Sequence, residues 1–296
     1  MRLKEIEKIL MNIDLEESGL RMRNHSHDTP DIDNINKFKT FLDKIEEIEI
    51  YQDEIESLRI SSLYKTTSDT LEIKKTVANQ IYSISKYLID SATALKLVFN
   101  KLLPKSNEQS ISIKLPEPSD FEALNKTMAI LHKTISQIIV NDTIKGNTKI
   151  NNWEHGSFWI ELILGTQAAV GLVASVAWSA AVISKKFNEN KVLEQTVRAM
   201  ELKNDSLNDI LEKQKIMTTS LIENEAQAIL DKNFTNDDFE QLERLKSSIK
   251  TFATLIQDGA EIHPSLVAQE KVQNLFPSFK DLDMITSKIP QIEDKS

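Results

Sequence analysis

Cysteine is absent from this 296-residue chain, which removes disulfides, thiolate metal sites and a cysteine nucleophile together. A reducing cytoplasm fits such a chain without being required by it. Glycine and proline are scarce, at six and seven residues, too few for a sheet-rich fold with many tight turns. The opening MRLKEIEKIL is charged throughout, so no secretory signal peptide is expected. There is no Gly-rich phosphate loop, Walker motif, HExxH or GxSxG, and the five histidines are scattered. An enzyme is therefore not expected. His25 and His27 lie in the polar stretch RMRNHSHDTPD, where a His-x-His pair is ordinarily solvated, so no metal is expected either. His132 beside Leu131 reads as an ordinary partly buried histidine. The net charge of −9 argues against a general nucleic-acid coat, so any such ligand would need a local basic pocket.

What the chain does have is one long apolar run, FWIELILGTQAAVGLVASVAWSAAVI, from Phe158 to Ile183. The 22 residues from Leu162 to Ile183 carry no formal charge. As a helix they would reach roughly 33 Å at ~1.5 Å per residue, enough for the ~30 Å hydrocarbon core of a bilayer. A core helix of a water-soluble protein normally meets water on one face and is charged there. The run is therefore expected to be one membrane-spanning helix over 158–184, joining two helical or coiled-coil soluble lobes, 1–157 and 185–296, in an all-α homo-oligomer. All three tryptophans, at 153, 159 and 178, lie in or beside it. Trp153 and Trp159 are expected as interfacial anchors at the headgroup boundary.

Helical spacing prevails elsewhere. Leu3, Ile6, Ile9, Leu10 and Ile13 make a short amphipathic helix, either on a membrane surface or, the preferred reading, packed on the first lobe. A long helix is expected over 33–61, with stripes Ile35/Phe38/Leu42/Ile45 and Ile48/Tyr51/Ile55/Leu58 whose phase shift implies a change of partners. Another is expected over 68–103, stopped by Pro104. SNEQSISIKLPEP alternates Ile111, Ile113 and Leu115 and reads as a short extended piece. Ser119 with Glu122 reads as a capping box, opening a helix with the stripe Phe121, Leu124, Met128, Leu131, Ile135 and Ile138 that ends near Gly146. After the span, Leu193, Val197, Met200, Leu207, Leu211 and Leu221 fall on a heptad-like seam that includes Asn204 and Gln214. A last helix is expected over 234–257, followed by short turns and loop.

Within the run, Gly165/Ala169, Gly171/Ser175 and Ala177/Ala181 are small-xxx-small pairs that let helices approach closely in lipid. One face collects Glu161, Gly165, Ala168, Leu172, Ser175 and Ser179, expected to line a pore or pack against other copies. Glu161 would form a ring at one end of that pore, or else snorkel to water. Lys185 and Lys186 would place charge at the other end or serve as an ordinary positive stop. Basic residues are richer after the run than before it, and orientation stays open.

The phrases ISIKLPEPSDFEAL and GSFWIELILGT, about 25 residues together, resemble bacterial helical membrane proteins found beside antiphage genes, the Hailong-type effectors; the lobe–span–lobe order matches over the whole chain. The resemblance implies a homotetrameric ion channel in the inner membrane, held closed by a single-stranded oligodeoxyadenylate that a partner nucleotidyltransferase makes. Release of that DNA oligomer on infection would open the channel, depolarise the cell and stop growth. No ligand motif carries over, and Lys74, Lys75 and Lys86 are candidates from charge alone. Two other functions fit the same residues. One is an α-helical pore-forming toxin that buries its apolar helix until triggered; the other is a non-conducting, membrane-anchored coiled-coil receptor or structural protein.

Overall fold

The computed structural model describes residues 1–23, 28–154, 158–199, 205–234 and 238–289. His25, His27, Met200 and Asn204 lie outside them. The chain divides into two compact units, Met1–Pro104 and Lys105–Ser296. Most of it is helical, but two small antiparallel sheets correct the all-α expectation.

In the first unit the order is α1 (Leu3–Met11), α2 (Leu15–Ser18), β1 (Arg21–Arg23), β2 (Asp31–Asp33), α3 (Ile35–Ile45), α4 (Gln52–Arg59), α5 (Ser62–Lys65), β3 (Thr70–Glu72) and α6 (Lys75–Leu102). The strands form one sheet in the order β1-β2-β3. Leu10 and Ile13 of the amphipathic stripe are buried in the core, and α1 packs on α6 and α3. The helix expected over 33–61 is broken. Ile48 is extended (φ −87°, ψ 100°), a 3-10 turn follows at Glu49–Tyr51, and both Ile48 and Tyr51 are 1% exposed. The phase shift between the two stripes marks a turn in the chain, and the partners do change across it, from α1 and α2 for α3 to α5 and α6 for α4. Leu103 is extended at ψ 136° and closes α6, as the residue ahead of Pro104 must be.

The second unit runs β4 (Ser110–Lys114), α7 (Phe121–Ile139), β5 (Lys149–Glu154), β6 (Trp159–Ile163), α8 (Gln167–Ala199), α9 (Asp205–Asn233), α10 (Phe239–Gln257), β7 (Glu261–Pro264) and α11 (Glu270–Gln273). The extended piece SISIK is β4, and the sheet order is β5-β6-β4-β7. The side chain that caps α7 is Asp120 rather than Ser119: its carboxylate accepts the Ala123 N–H at 2.7 Å. Leu131, Ile135 and Ile138 of the α7 stripe are buried, as are Leu245, Ile249, Phe252 and Ile256 of α10.

Further boundaries differ from those expected. The first lobe ends at Pro104, not at 157, because α7 and β4–β6 share one hydrophobic core with the apolar helix. The expected span does not begin as helix: Trp159–Ile163 is a strand paired on both sides. The seam expected along one helix after 185 is split between α8 and α9. These two pack antiparallel, with Asn190 Nδ2 donating to Thr218 Oγ1 at 3.1 Å and Ser179 bonded to Glu225. Leu193 and Leu221 thus belong to opposing helices.

Candidate functional site

The strand-to-helix junction fixes where α8 starts. Gly165 has φ +83°, and a Cβ there would sit 2.4 Å from Asn147 Nδ2, so glycine is needed on both counts. Thr166 then caps the helix: its Oγ1 accepts the Ala169 N–H at 3.0 Å and donates to the Ile144 carbonyl at 3.1 Å. Just before it, Gly146 lets the end of α7 approach α8, since a Cβ would lie 3.0 Å from that of Ala169.

From Gln167 to Ser184 α8 has no charged residue, and it is long and apolar enough to cross a membrane. Its most apolar 18-residue window is 72% buried inside the fold. Ala169, Leu172, Val173, Ala177, Ala180 and Ala181 are shut in by α7, α9 and α10. Two of the small-residue pairs, those of Ala169 and of Ala177/Ala181, thus include residues buried within the chain itself. The pair Gly171/Ser175 does not pack in this way. Nothing lies within 4 Å of where a Gly171 Cβ would be, and Ser175 donates only back to the Gly171 carbonyl, at 3.0 Å. With exposed Ala168 and half-buried Trp178 they form an uncharged outward strip.

The structure does not bring the expected pore face together. Glu161 is on β6, 7% exposed, and accepts a hydrogen bond from Ser110 Oγ at 2.8 Å. Gly165 is in the turn, and Ala168 and Ser175 face outward while Leu172 and Ser179 face the core. The reason is local: one helical face cannot run from 161 to 179 through a strand and a positive-φ glycine. Trp153 and Trp159 sit on β5 and β6; Trp153 packs against the core, and the Trp159 ring is 5.3 Å from that of His263. Lys185 donates to the Asp283 carbonyl at 2.6 Å, and Lys186 pairs with Glu189 at 2.6 Å. Lys74, Lys75 and Lys86 are exposed in the first unit. Lys86 lies about 16 Å along α6 from Lys75, at ~1.5 Å per residue.

Two features escaped the sequence patterns. Glu225, 3% exposed, sits among Ile222, Ala226 and Ile229 and takes Ser179 Oγ on one carboxylate oxygen and Ser287 Oγ on the other, both at 2.5 Å. Its place in the apolar period of TSLIENEAQAIL was the available signal. Between α8, α9 and α10 lies a cleft of about 730 Å³, lined by Lys191, Lys215, Lys246 and Lys250 together with Phe187 and Ile222. Lys246 is committed to Glu223 and Glu243, both at 2.8 Å. Glu194 also borders the cleft, so its balance is basic but mixed. Among the described residues no group of three His, Cys, Asp or Glu side chains could hold a metal.

On the sheet, burial works to raise the Glu261 carboxyl, but hydrogen bonds and charge from Lys114 (2.7 Å) and His263 (2.8 Å) prevail and hold it below the ordinary carboxylate range. Near α8, burial first and Lys232 second push the Lys288 ammonium down. Its Nζ sits 3.3 Å over the Trp178 ring.

No protein-family model and no solved structure matches the chain. The chain is similar to the uncharacterized protein YqaP of Bacillus subtilis (strain 168), 27% identical over 287 residues, covering 94% of this chain and 92% of that one.

Proposed function

We propose that this chain permeabilises a membrane with α8 as the crossing element of a homo-oligomer, and that the described conformation stores the helix before insertion. The observation that carries the reading is the outward strip of α8. Where a bundle helix that reaches the surface is ordinarily charged, Ala168, Gly171, Ser175 and Trp178 form a small, uncharged surface on a membrane-length segment. The partners of α8 cannot follow it into hydrocarbon, because α10 carries Glu240, Glu243, Arg244, Lys246 and Lys250 and α9 carries Glu223, Glu225 and Lys232. Insertion therefore exchanges contacts within the chain for contacts between copies, through the same small residues.

The antiphage resemblance extends this reading to a regulated ion channel of the bacterial inner membrane, closed by oligodeoxyadenylate from a partner nucleotidyltransferase. For such an anion the cleft lysines Lys191, Lys215 and Lys250 are better placed than Lys74, Lys75 and Lys86, because they converge on one cavity.

The competing reading, that α8 is only the core helix of a water-soluble bundle, is favoured by its 72% burial. Vesicles separate the two. The purified protein, added to dye-loaded phosphatidylglycerol/phosphatidylcholine vesicles, should float with them and release dye, and planar bilayers should show discrete current steps. Protein that stays at the bottom of the gradient and releases no dye, with or without added oligodeoxyadenylate, leaves the core-helix reading in place.

A further inference from the structure

The chain between β7 and residue 289 meets α8 at Trp178 and Lys185 and borders its outward strip across clefts. It has little regular structure of its own, only α11 and a 3-10 turn at Leu282–Met284. It is held by apolar side chains, Val272, Leu275, Phe276, Phe279, Leu282 and Ile285, packed on the core, and by a set of polar contacts. Trp178 Nε1 donates to the Thr286 carbonyl at 2.9 Å, and Lys185 Nζ to the carbonyls of Asp283 (2.6 Å) and Ile285 (3.4 Å). Lys288 stacks on Trp178, and Ser287 bonds to the carboxylate that also holds Ser179. Phe276 and Ile285, 5% and 8% exposed, anchor it in the core.

Beside these contacts lie two clefts open to solvent. One of about 230 Å³ is bordered by Ser175, Trp178, Glu225, Leu275 and Ile289, and another of about 430 Å³ by Gly171, Val272 and Leu275. Along these clefts the segment forgoes dispersion contacts that a close-packed helix would make. It contains no long helix and no strand of the sheet.

We propose that residues 265–289 are a strap that restrains α8, and that its detachment is the first step in freeing the helix. The strap holds α8 at Trp178 and Lys185, where the outward strip ends, and Glu225 ties α8, α9 and the strap at a single buried carboxylate. The inference rests on the reading of α8 as the membrane-active element, and the test keeps the two apart.

The reporter is Trp178 in the full chain carrying Trp153→Phe and Trp159→Phe, with acrylamide quenching read in water and dye release read on phosphatidylglycerol/phosphatidylcholine vesicles. Ile285→Asp puts a charge at the buried anchor and should at least double the quenching constant, while Ile285→Leu should leave it unchanged. Should Ile285→Asp abolish the helical circular dichroism of the chain, the pair Ser287→Ala/Lys288→Ala, which removes only polar contacts, takes its place with the same expectation. Greater quenching together with faster dye release supports the strap and its role as a restraint on membrane action. Greater quenching without dye release supports the strap as a clasp on α8 and overturns the membrane function. Quenching equal to wild type in folded variants overturns the strap.

Discussion

Replacing Ala177 with Leu tests whether α8 is closed in by its own chain. Ala177 is 0% exposed, in a hydrophobic cluster built from α7, α8, α9 and α10. Such cores are packed to a density of about 0.74, so an isobutyl group in place of a methyl has no free volume to fill. Overpacking of this kind costs about 1–3 kcal/mol. Were the position open to lipid, leucine would instead contribute about −0.3 to −0.6 kcal/mol to insertion. The sign of the effect thus reports the environment. For a unit the size of Lys105–Ser296, each 1 kcal/mol moves the melting temperature by about 2–4 °C, so Ala177→Leu should lower it by about 2–12 °C in buffer free of lipid and detergent. Tryptophan fluorescence is the right probe, because all three tryptophans belong to this unit and the first unit is silent. Ala168→Leu, at an exposed position of the same helix, is the control and should move the midpoint by less than about 2 °C, the usual range for surface substitutions. Equal midpoints for the two variants, or a rise at Ala177, would refute the burial argument.

Gly165→Ala should destabilise the second unit by at least about 1–2 kcal/mol, the cost of a side chain in left-handed backbone. Asn147→Ala should recover the steric part of that loss but not the backbone part, as read from urea midpoints. Because the Glu261 carboxyl is depressed in the folded state, its contribution is present above the unfolded value of about 4.3 and is lost as pH falls through the lower folded value. Lys114→Met should therefore flatten the acid limb of the stability profile below about pH 4.3, and an unchanged limb would count against the assignment. In the cleft, Lys191→Glu/Lys250→Glu should weaken binding of a fluorescein-labelled oligodeoxyadenylate at least tenfold by anisotropy, with Lys74→Glu/Lys75→Glu near wild type. The reverse order would return the ligand to the first unit.

The sequence patterns serve well where one face of a helix repeats. Leu131/Ile135/Ile138 and Leu245/Ile249/Phe252 marked α7 and α10 because each stripe meets a core on one side only. They fail where burial is two-sided. Strand β6 was invisible inside the apolar run because a short stretch buried on both faces has no period to distinguish strand from helix. Only the Gly165–Thr166 pair punctuated it. The fold-back between α8 and α9 was hidden because both arms keep leucines at compatible spacing. The strap was legible as turns and loop, but not its target. Several of its contacts are made by the backbone carbonyls of Asp283, Ile285 and Thr286, and a carbonyl carries no residue identity.

The four-stranded sheet also sets a topological condition. Strands β4, β5 and β6 precede α8 in the chain and β7 follows it, yet β7 pairs with β4 through Ser112/His263, Ile113/Ile262 and Lys114/Glu261. A single passage of α8 through a bilayer leaves its two flanks on opposite sides. No ladder can join residues separated by hydrocarbon, so β7 must unzip before α8 can cross once. Edge position makes that feasible, since β7 has one neighbour in the sheet. A covalent staple across β4 and β7, simple to engineer in a chain without cysteine, would forbid a one-pass insertion while leaving every side chain of α8 in place.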